Sequence, residues 1–217
     1  TDKRDIFLDE NDRRRFSKLL FLCNSEVPVN YRDVSDKPIS QIIRGDQIVS
    51  IGAYCLMSNH FHLLVNEVNE GGIVKFMRKL LTGYSAYFNK KYERTGTLFS
   101  SRFKSSHIDN DRYLKYMFSY IHLNPLKLLD KNWKEKKFNS VSTKKYLDNY
   151  RYSSYKDYTG LKNREEKLIL DIESFPGYFQ NIKDFENEID SWLVPEDRSP
   201  RGPSSVTSFK RSSLTLH

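Results

Sequence analysis

A chain of 217 residues is long enough for one sizeable core, or for one domain with an appendage. Its formal charge of +8, from 36 Lys and Arg against 28 Asp and Glu, favours a polyanionic partner, of which nucleic acid is the commonest. No run approaches the roughly 18 apolar residues that a membrane span requires, no signal-peptide pattern opens the chain, and Cys23 and Cys55 make no disulfide framework, so a reducing, cytoplasmic setting is expected.

The first predicted helix runs from Asp9 to Cys23, where Phe16, Leu19, Leu20 and Cys23 recur at helical spacing with charges on the other face. Residues 24–46 are polar, carry two prolines and read as a loop. Gln47 to Asn59 reads as a strand and His60 to Val68 as its partner, with the turn near Met57-Ser58-Asn59. A second helix opens at Gly71-Gly72 and continues to about Tyr92, with Ile73, Phe76, Met77, Leu80, Leu81 and Tyr84 in one stripe. Thr97 to Ile108 is expected as a strand in which Phe99 and Phe103 alternate with Arg102 and Lys104. Asn110, a good N-cap, precedes a third helix from Asp111 to about Leu123, ended by Asn124-Pro125. This mixture predicts an α+β fold, an antiparallel sheet with helices packed on one side. The expected organisation is a main domain over residues 1–130, a helical C-terminal extension over 131–194, and a disordered basic tail over 195–217.

His60-Phe61-His62 is the most informative triplet. Alternation along a strand sends His60 and His62 to one face and Phe61 to the other, with the imidazole bases roughly 6–7 Å apart. Two such rings can converge on one divalent ion. In the third helix, Tyr113, Tyr116 and Tyr120 share a broad face, while Leu114, Met117, Phe118 and Ile121 form the neighbouring apolar face. Asn124 follows Tyr120 by four residues and falls beside it, although Pro125 biases it away from helical geometry. A phenol is a poor nucleophile near neutral pH, but an adjacent metal can make its attack on a phosphodiester feasible. On residue types alone, a His-x-His strand is more often structural than metal-binding, and a row of helical tyrosines more often packs than reacts. Hydrolysis by a metal-activated water, leaving Tyr120 dispensable, is also open.

Four segments narrow the choice. YCLMSNHFHLLV and GTLFSSRFKSSHIDNDRYLKYMFSYIHLNPLK, with KRDIFLDENDRRRF before them and YRYSSYKDYTGL after, closely resemble the single-tyrosine HUH transposases. The resemblance covers roughly residues 3–161 and is best to the REP-associated tyrosine transposase branch. It implies a ferredoxin-like HUH nuclease core in which His60 and His62 are the metal-binding pair, Asn124 the third ligand and Tyr120 the nucleophile. It also implies Mg²⁺ or Mn²⁺ as the ion. The substrate would be single-stranded or hairpin DNA, cleaved to a 5′-phosphotyrosine with release of a 3′ hydroxyl and then rejoined. His122, beside the nucleophile in sequence, faces another direction and reads as a bystander.

The family carries a strand ahead of its first helix, and residues 1–9 show none, so a sheet one strand short is expected, from a truncated copy or a start lying upstream. A decayed relative that binds DNA hairpins without cutting them therefore stands as the alternative. Expected DNA contacts are Arg102 and Lys104 ahead of the catalytic helix and Tyr150, Arg151, Tyr152 and Lys156 in the aromatic-basic stretch, which suits the stacking of unpaired bases. Packing of that stretch against the main domain competes with this reading. The closer branch and the long extension favour a monomer over a homodimer exchanging catalytic helices.

Overall fold

Two antiparallel strands, β1 (Val49–Leu56) and β2 (Phe61–Glu67), stand at the centre of the computed structural model and are buried along nearly their whole length. The structure describes residues 4–99, 103–136, 138–160, 164–179 and 181–193, together with the backbone of 213–216. Within β1 the pairing shifts at Gly52, where Ile51 opposes Val65 and Ala53 opposes Leu64. This bulge inverts the side-chain phase along the strand. Val49 and Ile51 therefore share a face with Tyr54 and Leu56, while Ala53, Cys55 and Met57 point the other way.

On the first face lie α1 (Glu10–Cys23) and α2 (Gly72–Lys91). Asp9 caps α1 by accepting from the Asp12 N–H at 3.0 Å, and the Asp12 carboxylate accepts in return from the Asp9 N–H at 3.2 Å. The predicted apolar positions Phe16, Leu19, Leu20 and Cys23 are all buried, as are Ile73, Phe76, Met77, Leu80 and Tyr84 of α2. Phe16 is the hub: its ring lies 5.2 Å from Phe7, 4.8 Å from Phe61 and 5.0 Å from Tyr84. Gly72 is required where α2 begins, because a Cβ there would meet the Ile48 carbonyl oxygen at 2.6 Å.

The α+β class, the antiparallel sheet and a helical layer on one face are as expected. A further layer covers the opposite face, where α3 (Asp111–Leu123) packs Leu114, Met117, Phe118 and Ile121 against Ala53, Cys55, Met57 and Leu64. Asn110 caps α3 by accepting from the Tyr113 N–H at 2.7 Å. Residues 31–34 and 39–41 of the predicted loop form short 3₁₀ turns.

Of the strand expected over 97–108, Ser105–Ile108 pairs as β3 among the described residues, and 100–102 lie outside them. Phe99 and Phe103 pack against the α1–α2 core from irregular chain, so their burial is tertiary rather than a product of strand alternation.

Beyond α3 the chain continues as a 3₁₀ turn, Asn124–Leu128, followed by α4 (Ser140–Asn149), α5 (Tyr155–Tyr158) and α6 (Ile182–Leu193). Leu123 and Leu126 pack there with Trp133, Leu147, Tyr155, Phe185, Ile189 and Leu193. Residues 152–154 also lie along the outer edge of β1, where the Leu56 N–H donates to the Tyr152 carbonyl at 2.9 Å and the Ser154 N–H to the Tyr54 carbonyl at 3.0 Å. An edge that would otherwise expose unpaired backbone groups is thus covered.

The expected disordered tail is corrected in part. Residues 194–212 lie outside the described residues, but Ser213–Leu216 forms β4, antiparallel to β2 on one side and to β3 on the other, giving the order β1-β2-β4-β3. β2 and β3 each present a row of backbone donors and acceptors to the space between them, and a four-residue strand there satisfies both rows. Among the described residues no helix is long and apolar enough to cross a membrane, and Cys23 and Cys55 are buried free thiols.

Candidate active site

The turn between β1 and β2 is held from two sides. The Met57 N–H donates to the His60 carbonyl at 2.9 Å, and the N–H groups of Ile6 and Phe7 donate to the Ser58 carbonyl at 3.0 and 3.1 Å. The segment preceding α1 therefore fixes the loop that presents the histidines. His60 lies immediately before β2 rather than within it, and His62 lies in the strand opposite Cys55, 2% exposed. Phe61 turns to the opposite face and packs on Phe16, as alternation requires.

The two imidazoles converge, with their Nε2 atoms 3.1 Å apart. Asn59 Oδ1 accepts from His60 Nδ1 at 2.6 Å, which assigns the proton to Nδ1 and leaves the Nε2 lone pair facing His62. An outer oxygen that fixes the tautomer in this way is the usual support of a metal-binding histidine. Two nitrogen donors bound at about 2.1 Å and at right angles stand about 3.0 Å apart, so the pair is spaced for one octahedral ion.

The tyrosines of α3 form a ladder, with Tyr113 and Tyr116 stacked at 5.8 Å and Tyr116 and Tyr120 at 6.1 Å. Burial raises the Tyr116 phenol above its usual range, with a smaller contribution from Tyr120. Tyr120, half-buried at the end of the ladder, reaches the histidine pair: its ring lies 5.8 Å from that of His62.

Asn124 sits beside Tyr120 as expected, but through a different local geometry. Its backbone is helical (φ −54°, ψ −34°) despite Pro125, because the chain passes directly from α3 into the 3₁₀ turn. Its Nδ2 donates to the Tyr120 carbonyl at 2.8 Å, which turns Oδ1 the other way. That oxygen is buried and makes no hydrogen bond within the chain. An orphaned amide oxygen is costly, and a cation would satisfy it. Among the described residues no group of three or more His, Cys, Asp or Glu could hold a metal. The residues that fit an ion here are two imidazoles and one amide, His60, His62 and Asn124.

Two functional candidates escaped the sequence reading. Lys127 Nζ donates to the Tyr120 hydroxyl at 3.2 Å, and Lys134 Nζ lies 4.4 Å from the centre of the Tyr120 ring. Lys127 follows Tyr120 by seven residues, two helical turns, and that spacing was the available signal. His122 is a bystander, as expected: it is fully buried and bonds through Nε2 to the Ser154 hydroxyl at 2.7 Å, and burial pushes its pKa down to about 3.

The expected DNA contacts separate into groups. Arg102 lies outside the described residues, and Lys104 is exposed in the irregular chain before β3. Tyr150 is half-buried with its hydroxyl bonded to the Leu56 carbonyl, and Arg151 is exposed between Glu10 and Glu166. Tyr152 lies under Arg13, whose Cζ is 5.6 Å from the ring centre. Lys156 lines a hollow with Arg151 and Tyr152. For Tyr155 and Tyr158 the packing alternative holds: Tyr155 is buried, and Tyr158 donates to the Gly52 carbonyl at 2.6 Å.

Residues 19–124 match the family model described as "Transposase IS200 like". The matched span takes in both histidines and Tyr120 and ends on Asn124. No curated protein and no solved structure matches the chain.

Proposed function

We propose that this chain, which is similar to the IS200-like transposases over residues 19–124, belongs to that family and is a metal-dependent endonuclease and strand-transfer enzyme acting on single-stranded DNA at or near hairpins, within the REP-associated branch. The observation that carries this reading is the unbroken run of contacts from His60 to His62, from His62 to Tyr120, and from Tyr120 to Asn124 and Lys127.

In this reading Tyr120 Oη attacks the scissile phosphorus in line with the departing 3′ oxygen. The P–O3′ bond breaks as the phosphotyrosine bond forms; the phenol proton passes to solvent, and the 3′ oxygen takes a proton from water. Attack by the freed hydroxyl on the phosphotyrosine reverses these steps and rejoins a strand. Mg²⁺ or Mn²⁺, held by His60, His62 and Asn124, would polarise the phosphoryl oxygens. Lys127 places a cation where negative charge develops on the attacking oxygen and the phosphate. The stacked ring of Tyr116 and the bond from Asn124 to the Tyr120 carbonyl restrict the nucleophile to one orientation. That His60, His62, Tyr120, Asn124 and Lys127 are linked by successive contacts within one chain supports a monomer with its own site.

The test is incubation with Mn²⁺ and end-labelled hairpin DNA carrying single-stranded flanks, followed by denaturing electrophoresis. A denaturation-resistant adduct in the wild type, lost in Tyr120→Phe, is expected. Cleavage that survives Tyr120→Phe would sink the nucleophile assignment in favour of an activated water. Tight binding without any cleavage would identify a hairpin-binding relative instead.

A further inference from the structure

Two hollows share Arg151 and Tyr152 as a common wall. The first opens at the histidine turn and is lined by Arg13, Ser58, Leu128, Asn149 and Tyr150 besides the shared pair. Ser58 precedes His60 by two residues, and Leu128 adjoins Lys127, so this hollow borders the reacting centre. The second, about 560 Å³, brings together six cations, Arg14, Lys18, Lys37, Arg151, Lys156 and Arg164. It is assembled from α1, the 31–41 segment and the C-terminal extension, regions far apart in sequence.

The acids that share this second hollow are already committed. Glu165 accepts from the Ile39 N–H and the Ser40 hydroxyl, and Glu166 pairs with Arg151 and Arg164. Two of the cations are structural. Lys18 holds the carbonyls of Val34, Ser35 and Lys37, while Arg164 holds those of Ser153 and Arg151 and the Asp157 carboxylate. Lys37 and Lys156 make no ion pair among the described residues. Arg14 pairs with Glu10, and Arg151 with Glu10 and Glu166, so Lys37 and Lys156 are the cations of this concave surface whose charge the described residues do not neutralise. An aromatic-and-arginine hollow leading into a cationic one is the arrangement that stacks an unpaired base and then tracks its phosphates.

We propose that the unpaired strand flanking the scissile phosphate leaves the reacting centre over Tyr150 and Tyr152, seating a base in the first hollow. Its next phosphates then lie against Lys37 and Lys156 in the second. This inference rests on the single-strand DNA reading above and adds a track that includes α1 and Lys37, outside the aromatic-basic stretch from Tyr150 to Tyr158.

The test measures binding by fluorescence anisotropy without added metal, so that it reads no cleavage. It compares a hairpin bearing a one-nucleotide flank with hairpins whose 5′ or 3′ flank is extended to six nucleotides. In the wild type one of the two extensions should tighten binding. The Lys37→Ala/Lys156→Ala double variant should lose most of that gain. Its slope of log affinity against log salt should fall by about 1.4, the value for two single-strand phosphate contacts. Thermal unfolding of the same variant reports whether its fold is intact, and Lys37→Ala alone, at an exposed position, serves if the double variant unfolds. A 2-aminopurine in the favoured flank should be quenched on binding, and less so in Tyr152→Ala. The inference is overturned if neither extension tightens wild-type binding, or if the gain and slope are the same in the folded variants. Absence of any adduct in the cleavage assay, with a flank gain present here, would fell the enzymatic reading and leave the track standing.

Discussion

On the α1–α2 face of the sheet, β1 and β2 contribute Val49, Ile51, Tyr54, Leu56, Phe61, Leu63 and Val65 to one continuous apolar cluster. On the α3 face the same strands contribute only Ala53, Cys55, Met57 and Leu64, and between them stands His62, against Tyr120. The first face maximises buried apolar contact. The second uses smaller side chains and places polar groups, among them Asn124 and His122, where water does not reach. Buried polar groups of this kind subtract from stability unless they are bonded, so their presence here agrees with the proposal that this face carries the chemistry. If this division is right, stability and activity should separate by face.

The largest effect comes from crossing the two faces in one experiment. Phe16→Ala empties the hub of the α1–α2 core and should cost about 3–5 kcal/mol by urea unfolding. Adduct formation should follow the folded fraction and nothing else. Tyr120→Phe should change stability by less than about 1 kcal/mol, since it removes one half-buried hydroxyl bonded to Lys127, while eliminating the adduct. A Tyr120→Phe protein as unstable as Phe16→Ala would break the division.

The α1–α2 face has one polar knot, which sharpens the rule. The Asp12 side chain is fully buried and accepts from Lys91 Nζ at 2.7 Å, the Tyr92 hydroxyl at 2.7 Å, the Tyr87 hydroxyl at 2.9 Å and the Leu8 N–H at 2.8 Å. Burial pushes its carboxyl upward, but the bonds from Lys91, Tyr92, Leu8 and Tyr87 together outweigh burial and hold it below the usual carboxylate range. Asp12→Ala strands these donors and should cost about 3 kcal/mol, somewhat less than a fully enclosed pair because Lys91 is 27% exposed. With the folded pKa depressed, this contribution is present above the unfolded value near 4 and is lost as pH falls below it. Melting temperatures of wild type and Asp12→Asn should therefore converge in that acid range.

Gly52 sits where the two faces communicate. A Cβ at this bulge would come within 2.9 Å of the Phe175 ring and 3.1 Å of Phe118, so Gly52→Ala forces α3 outward. The expected cost is about 1–3 kcal/mol. Because α3 carries Tyr120, the folded variant should also form its adduct more slowly. An unchanged rate would mean that the position of α3 is not set by this contact.

What the sequence discloses, and what it withholds, follows the same physical divide. The helices were legible because Phe16, Leu19, Leu20 and Cys23, and later Leu114, Met117, Phe118 and Ile121, repeat at the helical period and are bounded by Asp9 and Asn110. The juxtaposition of His60 with His62, and of Tyr120 with Asn124, was legible because each pair lies in a short local pattern, while the roles proposed for them came from the family resemblance. Long-range pairing left no such trace. The Gly52 bulge changes the phase of β1 without any periodic signature. The strand Ser213–Leu216 is a four-residue alternation in polar surroundings, and only the gap between β2 and β3 gives it meaning. Lys127 and Lys134 are ordinary surface lysines until the 3₁₀ turns after α3 bring them to Tyr120. In the stretch from Tyr150 to Tyr158, composition could not tell the buried Tyr155 from Tyr152 at the wall of the hollow.

The smallest effect concerns the polar interior of the α3 face, at the point where the C-terminal extension locks onto β1. Ser154 Oγ accepts from the Tyr54 N–H at 2.9 Å and lies 2.7 Å from His122 Nε2. Ser154→Ala leaves both groups buried and unsatisfied, so a loss of about 1–2 kcal/mol is expected by urea unfolding at pH 7. Burial, not this bond, holds the His122 pKa down at about 3. Its folded value therefore lies below the unfolded one, near 6.5, and its contribution to stability is present above pH 6.5 and lost as pH falls toward 3. The Ser154→Ala protein should keep that acid-side decline, displaced downward and parallel to wild type. A decline that disappeared with the serine hydroxyl would mean that the hydrogen bond, rather than the apolar surroundings, keeps His122 neutral, and the α3 face would then be less dry than its burial indicates.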